Sequence, residues 1–403
     1  MLTQLIEQFP ALLREINGKR ITFLDGPGGT QVPQQVIDAI SHYYAHSNSN
    51  THGQFATAHE TDELLEQARV AMAALLNASG AHNISFGQNM TSLNYSLSKA
   101  IERKLQVGDE VIITQLDHES NRGPWLALRD SGIIIKEVPI LGNATLDCDV
   151  FQEMISPKTR LICMGMASNF VGTVNEVAKV RDWAYKVGAW LLVDAVHYTP
   201  HFSVDVQQLG VDFLLCSAYK FYGPHVGILY TKTGLLDRLS TDRLRTTDQY
   251  APYKIETGTL NHAAIAGVKA AVEFLAQQGM GETLRERLES AYSQIQAQER
   301  GLAKRLYDYL VNSETFEVIG PEFTTGERAP TVSFIHPNYS AAEICNRLAK
   351  QNIFAWDGNF YAQTASEVLG LEERGGVTRM GMSVYTTEED ITRTIRSLEE
   401  IGG

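Results

Sequence analysis

The sequence predicts an α/β fold: a mostly parallel sheet covered by helices, followed by a smaller α/β unit. Three observations predict it. From about residue 80 to 230, short apolar runs alternate with helical patterns. Several of those runs are nearly continuous in Val, Ile and Leu, as strands buried on both faces are. The chain also has 403 residues, enough for two domains at roughly 100–200 residues each.

Residues 1–20 carry apolar positions broken by Gln4, Glu7 and Gln8. With no basic region ahead of them they predict an amphipathic helix, not a secretory signal. Strands are predicted at 110–114, 133–138, 160–166, 190–194, 213–217 and 227–230, with helices between them such as 92–105 and 176–187. Helical periodicity resumes at 263–278. A long charged amphipathic stretch at 282–310 then suits one helix linking two units. A strand at 331–336 and helices at 341–350 and 388–401 complete the smaller unit. The expected division is an N-terminal segment (1–20) packing with the small domain, a large domain (21–262), and a small C-terminal domain (263–403) that includes the linking helix.

Composition excludes several classes. Apolar residues are 44% and charged residues 20%, which is the soluble globular range and not collagen, coiled coil or disorder. The net charge of −13 gains nothing from a phosphate backbone, so nucleic acid is not expected as a partner. No stretch approaches the ~20 apolar residues that cross a bilayer. The cysteines, Cys148, Cys163, Cys216 and Cys345, form no CxxC pair, and Cys163 and Cys216 lie in apolar runs, where a buried thiol is expected. A reducing cytoplasm fits this usage.

Ligands of α/β sheets gather at the carboxyl ends of the strands, so the residues after each apolar run carry the functional signal. After 190–193 comes Asp194, then Ala195, Val196 and His197. After 211–216 come Ser217, Ala218, Tyr219 and Lys220, then Phe221-Tyr222-Gly223-Pro224. Ser168-Asn169 and Asp117-His118 follow two further runs, and Asn89-Met90-Thr91 precedes a helix. Singly these are ordinary: a strand-end Asp is usually a cap, a strand-end Lys is usually solvated, and Asn89 or Thr91 caps a helix. Asp194 and Lys220 lie one strand-helix-strand spacing apart, and their conjunction matches what a pyridoxal phosphate pocket requires. That chemistry needs a lysine for the cofactor aldehyde. It also needs a carboxylate facing the pyridine nitrogen, a ring packed on the heterocycle, donors for its hydroxyl, and helix N-terminal amides for its phosphate.

Asp194-Ala195-Val196-His197 and the segment 217–224 resemble the class V aminotransferase group, especially its cysteine desulfurase and selenocysteine lyase branch. Further matching pieces run through the chain: 24–29 (Leu-Asp-Gly-Pro-Gly-Gly), 48–52 ending in His52, 117–125, 168–173, 256–259 (Glu-Thr-Gly-Thr), and Arg379 before Met-Gly-Met-Ser. The resemblance implies a fold-type-I pyridoxal phosphate enzyme with a mostly parallel seven-stranded sheet, and a homodimer with shared active sites. It implies that Lys220 forms the Schiff base, Asp194 pairs with the ring nitrogen and His118 stacks on the ring. Asn169 and His197 would lie by the ring hydroxyl. Asn89, Met90, Ser217 and Tyr219 would approach the phosphate, and Thr259 would reach the phosphate of the partner subunit. His52 and Arg379 would bind substrate, Arg379 through the substrate carboxylate.

The match has four departures. The commonest family pattern has Gln at His197, His at Tyr219 and Thr at Met90. Imidazole and phenol still donate hydrogen bonds, whereas Met90 offers only its backbone amide. The desulfurase branch also carries a mobile catalytic cysteine where Tyr361 stands in this chain. A phenol, with a pKa near ~10, cannot carry a persulfide. The expected function is therefore a lyase eliminating a β sulfur or selenium group. The alternatives are an aminotransferase, an amino-acid epimerase, or a cofactor-binding scaffold without activity. The pairs His42/His46 and His197/His201 have helical spacing but no metalloprotease glutamate, and no metal site is expected.

Overall fold

In a computed structural model, whose described residues are 5–324 and 326–402, the apolar runs join into one seven-stranded sheet. In chain order its strands are β1 (Ile84–Gly87), β2 (Glu110–Thr114), β3 (Ile134–Val138), β4 (Thr159–Gly165), β5 (Trp190–Asp194), β6 (Phe213–Ser217) and β7 (Gly227–Thr231). Across the sheet the order is β1-β7-β6-β5-β4-β2-β3. β3, β2, β4, β5 and β6 are parallel neighbours, and β7 runs antiparallel to both β6 and β1. The continuous apolar runs follow from burial on both faces. Along β2, Val111 and Ile113 enter one hydrophobic core and Ile112 the other; along β6, Phe213 and Leu215 face one and Leu214 and Cys216 the other. Strand β1 was not among the predicted strands: its four residues, Ile-Ser-Phe-Gly, are too few and too mixed to show periodicity.

Helices cover both faces. α1 (Gln34–His42), α2 (Ala56–Leu76), α3 (Met90–Glu102), α4 (Val177–Val187) and α5 (His262–Ala276) belong to this part, with α5 packed against α1 and α2. α6 (Leu284–Asn312) opens with a capping box in which Thr283 and Glu286 satisfy each other's backbone amides. Its first half sends Leu288, Ala291 and Tyr292 into the core beside the large sheet. Its second half sends Leu302, Leu306 and Leu310 into the core of a four-stranded antiparallel sheet. That sheet has the order β8 (Glu317–Ile319), β9 (Thr331–Ile335), β11 (Val377–Gly381), β10 (Trp356–Gly358). α7 (Ala341–Ala349) and α8 (Glu388–Gly402) bury Ile344, Leu348, Ile391 and Leu398 against it.

The expected N-terminal amphipathic helix is corrected. Among the described residues, two 3-10 turns, Ile6–Gln8 and Pro10–Leu13, stand in its place. Pro10 has no amide to donate and holds Phe9 extended at φ −110° and ψ 99°. Further on, Arg20 pairs with Asp390 at 3.0 Å, and Thr22–Phe23 pairs in parallel with Ile353–Phe354. No helix among the described residues is long and apolar enough to cross a membrane.

The topology sets the site. β1, β2, β4, β5 and β6 all run the same way, so the residues after them meet along one edge of the sheet.

Candidate active site

Asp194 is the last residue of β5, and its Oδ1 accepts the Val196 amide at 2.9 Å. Burial pushes its carboxyl up to about 6, against the opposing pull of that amide and of Lys220. Lys220 follows β6 in the turn Ala218–Lys220, and its Nζ donates to the carbonyl oxygen of Pro27. Burial first, and the Arg379 charge second, bring the amine down to about 7; Asp194 opposes them. A lysine with that value is about half neutral near pH 7, and the neutral amine is the nucleophilic form.

His118 follows β2. Its Nδ1 accepts the Ser120 amide at 3.0 Å and lies 2.8 Å from Ser120 Oγ. Burial, with the charges of Lys220 and Arg379, lowers it to about 4, so the imidazole is neutral at pH 7. Asn89 caps α3, accepting the Ser92 amide at 2.8 Å. The first amides of that helix, at Met90 and Thr91, have no intrahelical acceptor and face anions naturally. Gly227 of β7 lies directly behind them, where a Cβ would collide with the Asn89 carbonyl and the Met90 amide. Only glycine permits that approach.

Arg379 lies in the middle of β11, opposite Ser333 on one side and Trp356 on the other. It is 3% exposed. Its Nη1 donates to the Asn169 carbonyl at 2.8 Å, and its Cζ sits 3.5 Å from the centre of the Phe360 ring. Burial lowers the guanidinium to about 9, with Asp25 acting against it. Asn169 Nδ2 donates to the Phe360 carbonyl at 3.0 Å, His197 Nε2 lies 3.0 Å from Thr331 Oγ1, and Tyr219 stacks on His225 at 4.5 Å.

A cavity of about 390 Å³ collects these groups. Asn89, Met90, His118, Asn169, Asp194, His197, Ser217, Tyr219, Lys220 and Arg379 all line it. His52 and Thr259 do not. Both are exposed elsewhere, His52 paired with Asp62 at 3.3 Å. Sequence reasoning gave no role to several residues that shape the site. Asp117 is buried and accepts the Gly165 amide at 2.8 Å, and burial raises it to about 7. Asp25, raised by burial to about 6, lies near enough to Arg379 to oppose the fall in its pKa. Trp356, Phe360 and Tyr361 edge the cavity. Asp117 and Asp25 sit inside the motifs quoted above, but their burial has no signature in the string.

The cavity suits pyridoxal phosphate on its own geometry. Among the described residues, Arg379 Nε and His197 Nδ1 are buried without a partner, and such groups ordinarily have one. An amine of lowered pKa, a buried carboxylate, a helix N-terminus backed by glycine and a guanidinium meet in one place. No cysteine is among the lining residues; burial raises all four thiols, Cys345 to about 12.

Fold and cavity together have the architecture and the lining chemistry of the fold-type-I pyridoxal phosphate proteins. The chain belongs to the aminotransferase class-V family, whose pattern matches residues 22–394. It is similar to a probable cysteine desulfurase of Mycolicibacterium paratuberculosis, 32% identical over 411 residues, covering 98% of this chain and 57% of that protein. The chain thus spans little more than half of that relative's length. It is also similar to a probable cysteine desulfurase of Halalkalibacterium halodurans, 29% identical, covering 97% of this chain and 96% of that one. The crystal structure of the cysteine desulfurase CsdA (S-sulfonic acid) of Escherichia coli superposes with a TM-score of 0.85 at 28% identity, covering 99% of this chain and 98% of that one.

Proposed function

We propose that this chain is a carbon–sulfur lyase acting on a cysteine-type amino acid by β-elimination. The relatives' names point to carbon–sulfur cleavage. One observation carries the finer reading: Lys220, Asp194 and Arg379 converge on a cavity that no thiol lines, with Tyr361 at its edge. A persulfide has no sulfur to form on there, whereas elimination needs only a leaving group.

Pyridoxal phosphate, when bound, supplies an electron sink for the substrate α-carbon. Lys220 would hold its aldehyde and, once displaced by the substrate amine, take the proton from Cα as a neutral base. Asp194 would keep the ring nitrogen protonated. Neutral His118 would pack on the ring without adding charge. Asn169 and His197 would stand by the ring hydroxyl. Asn89, the Met90 amide, Ser217 and Tyr219 would hold the phosphate. Arg379 would fix the substrate carboxylate through its planar fork. His52 and Thr259 would act across the interface of a homodimer.

The test is an amino-acid panel offered to the holoenzyme and scored for pyruvate, sulfide, keto acid and D-isomer together. Cysteine is expected to yield pyruvate and sulfide in equal amounts. Alanine plus persulfide, with Tyr361 unchanged, would overturn the reading. Keto acid that retains sulfur would make the chain an aminotransferase, D-isomer an epimerase, and a cofactor spectrum unmoved by every amino acid a scaffold.

A further inference from the structure

Three aromatic residues, Trp356, Phe360 and Tyr361, are among those that wall the cavity. Trp356 is the cross-strand partner of Arg379, so the two stand side by side in adjacent strands. Its indole Nε1 lies against Gly28, where a Cβ would come within 2.7 Å of it. The Phe360 ring lies 3.5 Å from the Arg379 guanidinium carbon. The Tyr361 ring stands 5.3 Å from the His118 ring. Both ends of this wall face solvent: Trp356 is 50% exposed and Tyr361 71%.

The wall is held in place against its local preference. Phe360 and Tyr361 have φ of +54° and +61°, the left-handed region that side chains of this size rarely enter. Their carbonyls are pinned, Phe360 O by Asn169 Nδ2 at 3.0 Å and Tyr361 O by the Glu119 amide at 2.7 Å, while the Tyr361 amide donates to Asn359 Oδ1 at 3.2 Å. Two consecutive strained residues, each fixed by a separate part of the chain, mark a placement that the fold enforces.

We infer that this wall selects a substrate whose sulfur bears an apolar, aryl-sized group: an S-aryl cysteine in preference to free cysteine. The inference rests on the carbon–sulfur lyase reading and names its substrate class. Arg379 takes the carboxylate; Phe360 packs on that arginine, Trp356 stands beside it in the next strand and Tyr361 lies against His118, so aromatic surface borders the part of the cavity into which the amino acid's side chain extends. A bare thiol would bury little of the aromatic surface that Trp356 and Tyr361 leave exposed. A substituted sulfur also has no need of an acceptor thiol, which matches a cavity without one. In the reaction Lys220 takes the proton from Cα. The Cβ–S bond breaks with its electron pair on sulfur, releasing the aryl thiolate, and water converts the remainder to pyruvate and ammonium.

Binding tests this apart from turnover. The holoenzyme is titrated with homophenylalanine, in which a methylene replaces the sulfur of S-phenylcysteine, and with 2-aminobutyrate, the matching analogue of cysteine; the cofactor absorbance reports binding. Homophenylalanine is expected to bind roughly tenfold tighter, from ring burial and aromatic contact. Trp356→Ala and Tyr361→Ala should each cut that ratio to about threefold or less by the same principle. Circular dichroism checks that the variants are folded. Equal affinities for the two analogues would overturn the inference and leave the lyase reading standing. S-phenylcysteine converted to a keto acid that keeps its sulfur, with no thiophenol released, would sink the lyase reading and the inference with it.

Discussion

A lysine amine ordinarily titrates near 10.5, and Lys220 is brought to about 7 by burial and by the charge of Arg379. Between those two values the folded chain binds fewer protons than the unfolded chain. The penalty for burying the amine is therefore complete below pH 7 and fades as pH rises towards 10.5. Lys220→Met is accordingly expected to raise the melting temperature of the cofactor-free protein most at or below pH 7, with the gain shrinking steadily up to pH 10. A gain that does not change with pH would show that the amine is not held in a desolvated site. The identities of Lys220 and Asp194 were legible from strand-end position and spacing. Their protonation was not, because it depends on burial by the closed fold and, for Lys220, on the charge of Arg379, which reaches the site from a distant part of the chain.

Among the elements, the segment after β7 shows how a motif divides its work. Glu256, the first residue of the Glu-Thr-Gly-Thr motif, points inward. Arg69 of α2 grips it through two hydrogen bonds of 2.7 and 2.8 Å, Arg69 Nη1 also donates to the Ile84 carbonyl at 2.6 Å, and Glu256 Oε1 accepts the Phe86 amide at 2.7 Å. Helix α2, strand β1 and the approach to Thr259 are thus fastened by one buried ion pair, its side chains 2% and 6% exposed. Glu256→Ala would leave the Arg69 charge without a partner, and a loss of about 3–5 kcal/mol in urea unfolding is expected. A loss under about 1 kcal/mol would place the pair in the solvent-screened class instead. The strands buried on both faces were readable because burial dictates their composition. The N-terminal helix was misread because spacing alone does not register that Pro10 breaks the ladder.

For the molecule as a whole, Phe9 is the joint to test. Its ring meets Tyr222 at 5.9 Å, Phe274 at 5.3 Å and Tyr385 at 5.0 Å, edge to face in each case. Those partners come from the turn after Lys220, from α5, and from the segment between β11 and α8. Phe9→Ala is expected to cost about 3–5 kcal/mol. It should lower the midpoint of a single calorimetric transition, because α6 shares its apolar face between the two cores and ties their unfolding together. Two resolved transitions in the wild-type chain would show that the cores unfold independently.

What the sequence determined by itself was the layered α/β plan, the family, and the placement of Asp194 and Lys220 at the ends of neighbouring strands, since hydrophobic period and strand-end position are local and survive as patterns in a string. Only the tertiary structure decided the rest. Arg379 reaches the Asn169 carbonyl from a different sheet, Gly227 gives way to the α3 amides, and Phe360 and Tyr361 are twisted into a wall. Each of these is a distance between residues far apart in the chain, and such distances exist only once the cores have closed.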